Sequence, residues 1–419
     1  MKKAGIWSLP VLVAALGYFV DIYDLVLFGI FRIPSLKAIG LEGDQLETVG
    51  HLLLNIQMIG MLVGGFFWGI LGDKKGRLSV LFGSIVVYSL ANILNAYVAT
   101  EMQYYILRFF AGFGLAGELG AGITLVAEVL KKEDRGWGTT VVATIGVSGA
   151  VFAGFLGNYL DGTHTAFGYV LNWKTGYLIG GGLGLALLLL RIGVFESGMF
   201  EVAKKGKAVM GNLNTLFGKK ENIKKYAYCI LAGLPIWYGV GILVFFCPEL
   251  GEEMGLAKEN IKTGTAVMYA YAGVTIGDFL SGLLSQVFKS RTKIIKAFIV
   301  LTACAVAAYP YLGSLSVTWL YIVCLLIGGF SGYWAVIITT SAEQFGTNIR
   351  ATVTTTVPNF IRASLTPISF IYIAFFQSAL GLKKVPAAMW TGVIVFIIAM
   401  YAASKLKETF GKELDYLEE

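Results

Sequence analysis

The chain has 419 residues, of which 56% are hydrophobic and only 14% are charged, and its formal net charge is +7. Soluble globular proteins carry about 25% charged residues, and a chain this apolar could not cover its surface with polar groups in water. The composition therefore excludes a soluble globular fold and predicts an integral membrane protein.

Long apolar blocks follow one another along the whole chain. A membrane-spanning helix needs about 20 mostly apolar residues, whereas a barrel strand needs only about 10, and these blocks have helix length. The sequence therefore predicts an all-α membrane protein with twelve transmembrane helices. We place the spans at residues 7–31, 49–72, 78–98, 103–130, 139–160, 172–194, 225–247, 262–288, 293–312, 315–341, 350–378 and 385–404.

A Lys-rich hydrophilic segment, residues 195–224, follows the sixth span. We interpret it as a cytoplasmic linker between an N-terminal six-helix bundle (1–194) and a C-terminal six-helix bundle (225–404), with a cytoplasmic tail (405–419). The halves repeat each other, because a Glu and an Arg lie seven residues apart at the end of span 4 and again, 215 residues later, at the end of span 10. Two pseudo-symmetric bundles are the plan of transporters that bind their substrate between the repeats.

Lys and Arg residues are distributed unequally between the two sides of the predicted bundle. The side that holds both termini and the linker carries 24 of the 33. Because cytoplasmic loops are enriched in these residues, we expect both termini to be cytoplasmic in a cell (inner or plasma) membrane. The net positive charge thus reports orientation, and nucleic acid is not an expected partner. The opposite side carries Arg32, Lys37, Lys174, Lys258, Lys262, Lys383 and Lys384.

Cysteine and histidine are too sparse to predict a metal centre. The four cysteines show no CxxC spacing, and the two histidines, His51 and His164, are placed at or near the outer surface. The sequence also contains no recognisable nucleophile–His–acid set. We therefore expect no metal, no other cofactor and no enzymatic activity. A receptor is disfavoured because no sensory domain is recognisable.

Several motifs resemble those of the major facilitator superfamily. The loop after span 2 matches the family signature G-x-x-x-D-(R/K)-x-G-R with Gly69, Asp73 and Gly76–Arg77, and Arg108-x-x-x-Gly112 in span 4 resembles a second family motif. The resemblance covers all twelve spans. It implies a transporter that works by rocker-switch alternating access, acts as a monomer, and has a small-molecule substrate, protons and the lipid bilayer as its partners.

Spans 1 and 11 resemble particular branches of that family. Residues 17–25, with Asp21 and Asp24, are similar to the acidic span-1 motif of phosphate, aromatic-acid and related metabolite–proton symporters. In span 11, Arg362 followed by Pro367 resembles a motif of organic-ion and acid transporters. The paired Glu/Arg motifs that end spans 4 and 10 resemble those of the sugar-porter branch.

Charged residues at mid-membrane depth are costly and usually mark functional sites. The chain has six of them, at Asp21, Asp24, Arg108, Glu118, Asp278 and Arg362.

The first-half charges are the candidates for proton coupling. Asp24 lies about 10 Å from the outer end of span 1 and Arg108 about 8 Å into span 4, so their depths allow a salt bridge. Asp21 lies one turn deeper than Asp24 on the same helical face. The sequence leaves open which aspartate titrates, and a permanent structural ion pair is the alternative. Glu118 lies about 15 Å deeper than Arg108. Two roles are open for it: it relays the proton inward, or it forms a hydrogen bond where two helices pack closely.

The second half offers candidates for the substrate site. Arg362 is a fixed planar cation suited to a carboxylate or phosphate, and Asn359 lies one turn before it. The alternative is an interhelical structural arginine. Pro358 and Pro367 predict a break in span 11 close to Arg362. Further candidates for the cavity wall are Tyr23, Gln57, Trp237, Tyr238, Tyr269 and Trp334.

Charged residues at the predicted cytoplasmic ends are candidates for a gate, which the family resemblance implies. Exposed ion pairs are individually weak, but several together can bias a two-state equilibrium. Asp278, about two turns from the inner end of span 8, is a candidate for the gate or the substrate site. The other gating candidates are Asp73, Arg77, Glu128, Arg135, Glu343 and Arg350.

These residues together predict a proton-coupled symporter of a small anionic metabolite, of carboxylate or phosphate type. The alternative is a transporter of a neutral or zwitterionic substrate, such as a sugar or an amino acid, in which Arg362 is structural.

Overall fold

The computed structural model describes residues 7–75, 77–118, 135–166, 168–196 and 216–411. Almost all of them are helical, and the helices run up and down in one bundle. We call the end of the bundle that holds residues 9 and 405 the terminal face. The opposite end, which holds loops 39–44, 160–172, 254–262 and 380–383, is the far face.

The first half contains six long helices and one short hairpin. Helix α4 begins at a capping residue, Thr100, whose hydroxyl accepts a hydrogen bond from the Gln103 amide at 3.3 Å. The helices are α1 (Leu9–Ala38), α2 (Gln45–Lys75), α3 (Arg77–Asn95), α4 (Glu101–Leu115), α5 (Arg135–Tyr159) and α6 (Trp173–Glu196), and the hairpin strands are β1 (Thr165–Ala166) and β2 (Tyr169–Val170).

The second half is built from shorter, interrupted helices. The helices are α7 (Lys220–Leu231), α8 (Leu234–Tyr238), α9 (Cys247–Glu253), α10 (Thr263–Val287), α11 (Arg291–Gly313), α12 (Val317–Ser331), α13 (Trp334–Glu343), α14 (Thr347–Ala363), α15 (Leu365–Phe370) and α16 (Lys384–Lys405). A 3-10 turn covers Lys258–Asn260, and π-helical segments cover Gly239–Val244 and Ile371–Ala379. The predicted break in span 11 occurs at Ser364, between Pro358 and Pro367, which confirms that expectation.

The helices agree with the predicted spans. Among the described residues, ten helical stretches are long and apolar enough to cross a membrane. The shorter apolar stretch Val80–Asn95 and the described part of the fourth span, α4, account for the other two. The hairpin was not predicted, and α1 continues to Ala38 although its apolar block ends at 31. Arg32, which ended the apolar block, lies inside this helix and is buried.

The two halves touch at several depths. Helices α5 and α10 pack closely at Gly154 and Gly264, where a side chain on Gly154 would collide with the backbone of Gly264. Helices α2 and α14 also pack against each other. These contacts bring side chains of α1 and α2 against residues of the second half.

Candidate functional site

An ion pair joins the two halves near mid-depth. Arg362 of α14 lies with its Nη2 atom 3.4 Å from Oδ2 of Asp21 in α1, and both side chains are almost completely buried. Arg362 Nε and Nη1 and Asp21 Oδ1 have no hydrogen-bond partner among the described residues. The structure therefore brings together a predicted substrate residue and a predicted proton-coupling residue, and leaves donors and an acceptor of the pair unused.

Two hydrogen-bonded aromatic side chains lie beside this pair. The Trp334 indole donates a hydrogen bond to the Tyr18 hydroxyl at 3.1 Å, which again connects the two halves. The Arg362 guanidinium lies 5.7 Å from the centre of the Trp334 ring. Asp278 accepts a hydrogen bond from the Ala335 amide at 3.0 Å and so fixes the start of α13, next to Trp334. Tyr18 was not predicted, because a tyrosine next to an apolar run resembles an ordinary packing residue.

The salt bridge expected between Asp24 and Arg108 is not formed. Arg108 instead donates a short hydrogen bond to Gln57 Oε1 and lies over the Phe28 ring at 5.0 Å. Both Asp24 oxygens are buried and have no hydrogen-bond partner among the described residues. Asp24 Oδ1 points to α6, where it would collide with a side chain at Gly180. The two residues match in depth but face different neighbours.

Glu118 forms a buried ion pair within the first half. Arg191 Nη1 and Nη2 donate to its two carboxylate oxygens at 3.0 and 2.9 Å, and Ser84 donates to it at 3.2 Å. Arg191 lies near the end of the sixth predicted span and was not among the six mid-membrane charges, yet its side chain is only 2% exposed. Its pairing with Glu118 was not predicted, because a charge at the end of an apolar block resembles a loop charge.

Most of the other predicted wall residues are bonded within the helix bundle. Asn359 donates across the halves to the Ala116 carbonyl at 3.1 Å. The Tyr23 and Tyr238 hydroxyls donate to backbone carbonyls of α6 and α16 at 2.9 and 2.7 Å. Tyr269 packs on Tyr321 at 5.7 Å between ring centres, and Trp237 is buried in α8. Of the predicted aromatic residues, Trp334 is the one in contact with Arg362.

The predicted gate is only partly described. Glu128 lies outside the described residues, as do the side chains of Asp73, Arg77, Arg135 and Arg350. Glu343 is described: Arg291 lies 3.5 Å from one of its oxygens, and Thr409 donates to the other at 2.6 Å. Arg350 as its partner therefore stays a prediction.

The segment after α16 folds back onto the terminal face of the second half. Glu408 accepts hydrogen bonds from the Ser290 hydroxyl, the Arg291 amide at 2.9 Å and the Thr292 hydroxyl at 2.7 Å, and so caps α11. Burial raises the pKa of Glu408, but these hydrogen bonds and one from the Phe410 amide outweigh it and lower the pKa to about 2. The tail is therefore held by an ionised carboxylate, which the sequence alone did not indicate.

A second inter-half cluster closes the far face. Arg32 of α1 donates to Glu249 of α9 at 2.6 Å and to the Leu46 and Phe245 carbonyls at 3.1 and 3.4 Å. Its guanidinium also stacks 4.2 Å from the centre of the Phe246 ring. Arg32 was predicted as a loop residue, but neither it nor Glu249 is more than 3% exposed.

Neighbouring residues extend this far-face cluster. His51, predicted near the outer surface, is buried and stacks on the Phe246 ring with 3.6 Å between ring centres. Lys384 of α16 lies 2.5 Å from Glu47 of α2, which adds another ion pair between the halves. Glu253 accepts hydrogen bonds from the first amides of α16 and so caps that helix. This cluster therefore joins the halves at the far face through two ion pairs and a ring stack. A more exposed ion pair, between Lys262 and Asp161 at 3.9 Å, also connects the halves there.

The sequence of the chain is similar to those of known transport proteins. A family model described as Major Facilitator Superfamily matches residues 14–364. A protein of Cupriavidus pinatubonensis described as a probable 4-methylmuconolactone transporter is 25% identical over 409 residues, covering 96% of this chain and 91% of that protein. The gentisate transporter of Corynebacterium glutamicum is 25% identical over 353 residues, covering 79% of this chain and 73% of the transporter.

Solved structures agree on the fold. The proton:xylose symporter XylE, solved with bound 6-bromo-6-deoxy-D-glucose, matches with a TM-score of 0.72 at 15% identity, covering 97% of each chain. This likeness concerns the architecture alone. It confirms the predicted all-α membrane fold with twelve transmembrane helices.

Proposed function

The chain belongs to the major facilitator superfamily, and from that premise we propose that it carries a small carboxylate anion across the cell membrane together with a proton. It is a multi-pass membrane transporter of small molecules and not an enzyme. Both termini lie in the cytoplasm and the monomer is the transporting unit. The halves 1–194 and 225–404, joined by linker 195–224, rock against each other to alternate access to the site.

The observation that carries the proposal is the Asp21–Arg362 pair. Arg362 donates one hydrogen bond, from Nη2 to Asp21 at 3.4 Å. Its Nε and Nη1 donors have no partner among the described residues. A planar guanidinium with free donors is suited to a carboxylate. A substrate carboxylate therefore competes with Asp21 for the same cation. Protonation of Asp21 removes that competition, so proton binding favours anion binding.

The net charge of the buried site decides which combinations of proton and anion can cross the membrane. Without substrate, ionised Asp21 neutralises Arg362, and with substrate, protonated Asp21 leaves the anion to neutralise it. Both arrangements bury no net charge, which keeps the desolvation penalty of reorientation low. A site holding the anion with ionised Asp21, or a proton without the anion, carries an unbalanced buried charge. The protein therefore moves both ligands or neither.

The surrounding residues fit a small ring-shaped acid. Trp334 and Tyr18 flank the pair and supply flat apolar surfaces with one polar edge each. The gentisate transporter supports a carboxylate substrate, since gentisate is an aromatic carboxylate. Phosphate lacks the ring that these walls favour.

Gating follows from the contacts between the halves. The far-face cluster of Arg32, Glu249, His51, Glu47 and Lys384 separates when the site opens to the outside. Asp73, Arg77, Glu128, Arg135, Glu343 and Arg350 act at the cytoplasmic ends, with the Asp278 cap positioning α13. Asp24, Arg108 and Glu118 serve the proton route within the first half.

Uptake by proteoliposomes tests the function. Purified protein is reconstituted, an inward proton gradient is imposed, and uptake of labelled gentisate is compared with that of phosphate, an amino acid and xylose. We expect gentisate to accumulate and a protonophore to abolish its accumulation. Uptake that survives the protonophore contradicts coupling, and accumulation of xylose or the amino acid instead supports the neutral or zwitterionic alternative.

A further inference from the structure

Tyr18 of α1 lies beside the Asp21–Arg362 pair and is contacted from both halves. It precedes Asp21 by three residues, so the two side chains share a face of the helix and are about 4.5 Å apart along its axis. From the second half, the Trp334 indole donates to the Tyr18 hydroxyl at 3.1 Å, and the same indole ring lies 5.7 Å from the Arg362 guanidinium. From the first half, α5 packs against the Tyr18 ring at Gly146. The position of this ring therefore decides how much room there is next to the pair.

Gly146 is the residue that allows the Tyr18 ring to lie against the α5 backbone. A Cβ atom at position 146 would lie 1.9 Å from Cδ1, 2.5 Å from Cγ and 2.8 Å from Cε1 of Tyr18. Because nonbonded carbon atoms approach one another to about 3.5–4.0 Å, a larger residue would displace the ring by about 1.5 Å or more. Gly146 lies inside α5, where glycine is less favourable than alanine, so helix stability does not explain its presence.

The ring, and not the helix, gives way in such a collision. One turn further along α5, a Cβ atom at Gly149 would lie 2.1 Å from the Phe19 carbonyl oxygen, so the backbones of α1 and α5 are already in contact. Separating two helices packed in this way disrupts many contacts, whereas turning one side chain disrupts few. Retreat from α5 moves the Tyr18 ring towards the second half, from which Trp334 contacts it. The space beside Arg362 is then reduced.

We propose that Gly146 is a specificity-determining residue, which keeps the Tyr18 ring against α5 and so leaves room beside Arg362 for the ring of an aromatic carboxylate. The inference rests on the proposed function and names the feature that sets the size of the transported anion. Gly146 is a positioning residue, because it acts through Tyr18, while Arg362 binds the anion itself.

Gly157 offers a matched control on the same two helices. A Cβ atom there would also collide with a side chain of α1, at 2.3 Å from Cγ2 of Ile30. Gly157 lies eleven residues beyond Gly146, which is about 16 Å along α5 and away from the substrate site. The same substitution at this position therefore disturbs the packing of α1 and α5 without moving Tyr18.

The test measures gentisate binding to the purified full-length protein by calorimetry. We expect Gly146→Ala to weaken binding by about tenfold or more, because the displaced ring overpacks the site. Gly157→Ala should stay within about twofold of the wild type, since it shares no partner with the site. Tyr18→Ala removes the colliding ring and should weaken binding by about tenfold at most, through the loss of one aromatic contact. Adding Gly146→Ala to Tyr18→Ala should then change binding by less than about twofold.

Equal gentisate affinity of Gly146→Ala and Gly157→Ala overturns the inference. A loss of the same size with and without the Tyr18 ring, or complete loss of binding in Tyr18→Ala, also overturns it, because position 146 then acts independently of the ring or the ring itself holds the ligand. If Gly146→Ala does not fold, the double variant decides: it should fold and bind gentisate as Tyr18→Ala does, and misfolding of both overturns the inference. A wild type that does not bind gentisate contradicts the proposed function instead.

Discussion

Two buried arginines, one from each half, cross to the opposite half, and they are bonded very differently. Arg32 makes three hydrogen bonds to described residues, one of them to Glu249 at 2.6 Å, and stacks on Phe246. Arg362 makes one, to Asp21 at 3.4 Å, and leaves Nε and Nη1 unpaired among those residues. Both side chains carry the same guanidinium group and are almost completely buried, so their environments and not their chemistry distinguish them.

The difference separates a clamp from a binding site. An arginine held by several partners stabilises one arrangement of the halves, and losing it leaves the partner carboxylate uncompensated. An arginine with one long contact and free donors has capacity for a ligand. We therefore assign the far-face pair to holding the halves together and the mid-depth pair to exchange between a protein carboxylate and a substrate carboxylate.

The largest effect is expected at Arg362. Arg362→Gln removes the cation that the substrate requires, and gentisate uptake should fall by about a hundredfold or more, since truncating a buried charge pair costs about 2–5 kcal/mol. The double variant Asp21→Asn/Arg362→Gln controls for the unpaired aspartate: it should recover thermal stability but not uptake. Full transport by Arg362→Lys would contradict a bidentate role and favour a neutral substrate.

The next effect separates the two aspartates. Asp21→Asn should abolish accumulation driven by a proton gradient while leaving gentisate exchange intact, because Arg362 is then permanently free for the anion. Asp24→Asn should slow proton-driven uptake but keep the pH dependence of gentisate binding, since Asp24 does not contact Arg362. Uptake and binding measured in parallel give the comparison. Identical behaviour of the two variants would show that the distinction between them is wrong.

The clamp should respond in a different way, with a smaller effect on gentisate uptake than either change at the mid-depth pair. Arg32→Gln leaves Glu249 buried without its cation, at a cost of about 3–5 kcal/mol to the arrangement closed at the far face. We expect Cys247, which is buried next to Phe246, to react faster with a water-soluble maleimide when the other three cysteines are serine. Lys258→Gln is the matched control, because its ion pair with Glu252 is exposed and stays within one half. Equal labelling of the two variants would rule out the clamp.

The smallest effect is expected at the tail. The pKa of Glu408 lies at about 2, below its ordinary value of 4.5, so its ionised form stabilises the folded protein. That contribution is complete above about pH 5 and disappears as the pH falls from 4.5 towards 2. Glu408→Gln should therefore lower the melting temperature at neutral pH and have little effect near pH 2. A difference in melting temperature that stays constant over this range would contradict the role of its charge.

The sequence predicted the twelve-helix architecture well, because the length of an apolar block depends on a simple physical constraint, the thickness of the membrane. It also identified Asp21 and Arg362, since any charge inside an apolar block is conspicuous. It paired Asp24 with Arg108, however, and these two residues do not form a salt bridge. In the structure Asp21 pairs with Arg362, and Arg108 bonds to Gln57. Position along a helix gives depth in the membrane, but contacts also depend on how each helix is rotated and tilted against its neighbours.

Arg32 and Arg191 were missed for another reason. Both stand where an apolar block ends, and at that position a buried charge and a loop charge have the same appearance in the sequence. Their partners, Glu249 and Glu118, are 217 and 73 residues away in the chain. Only the packing of the helices shows that these four residues form ion pairs.

The claim that one arginine links anion and proton binding is tested most directly by calorimetry of gentisate binding in buffers with different ionisation enthalpies. The wild type should take up about one proton for each gentisate bound above neutral pH, and Asp21→Asn should bind gentisate with no proton uptake. Wild-type binding without proton uptake, or equal proton uptake by Asp21→Asn, would contradict the account.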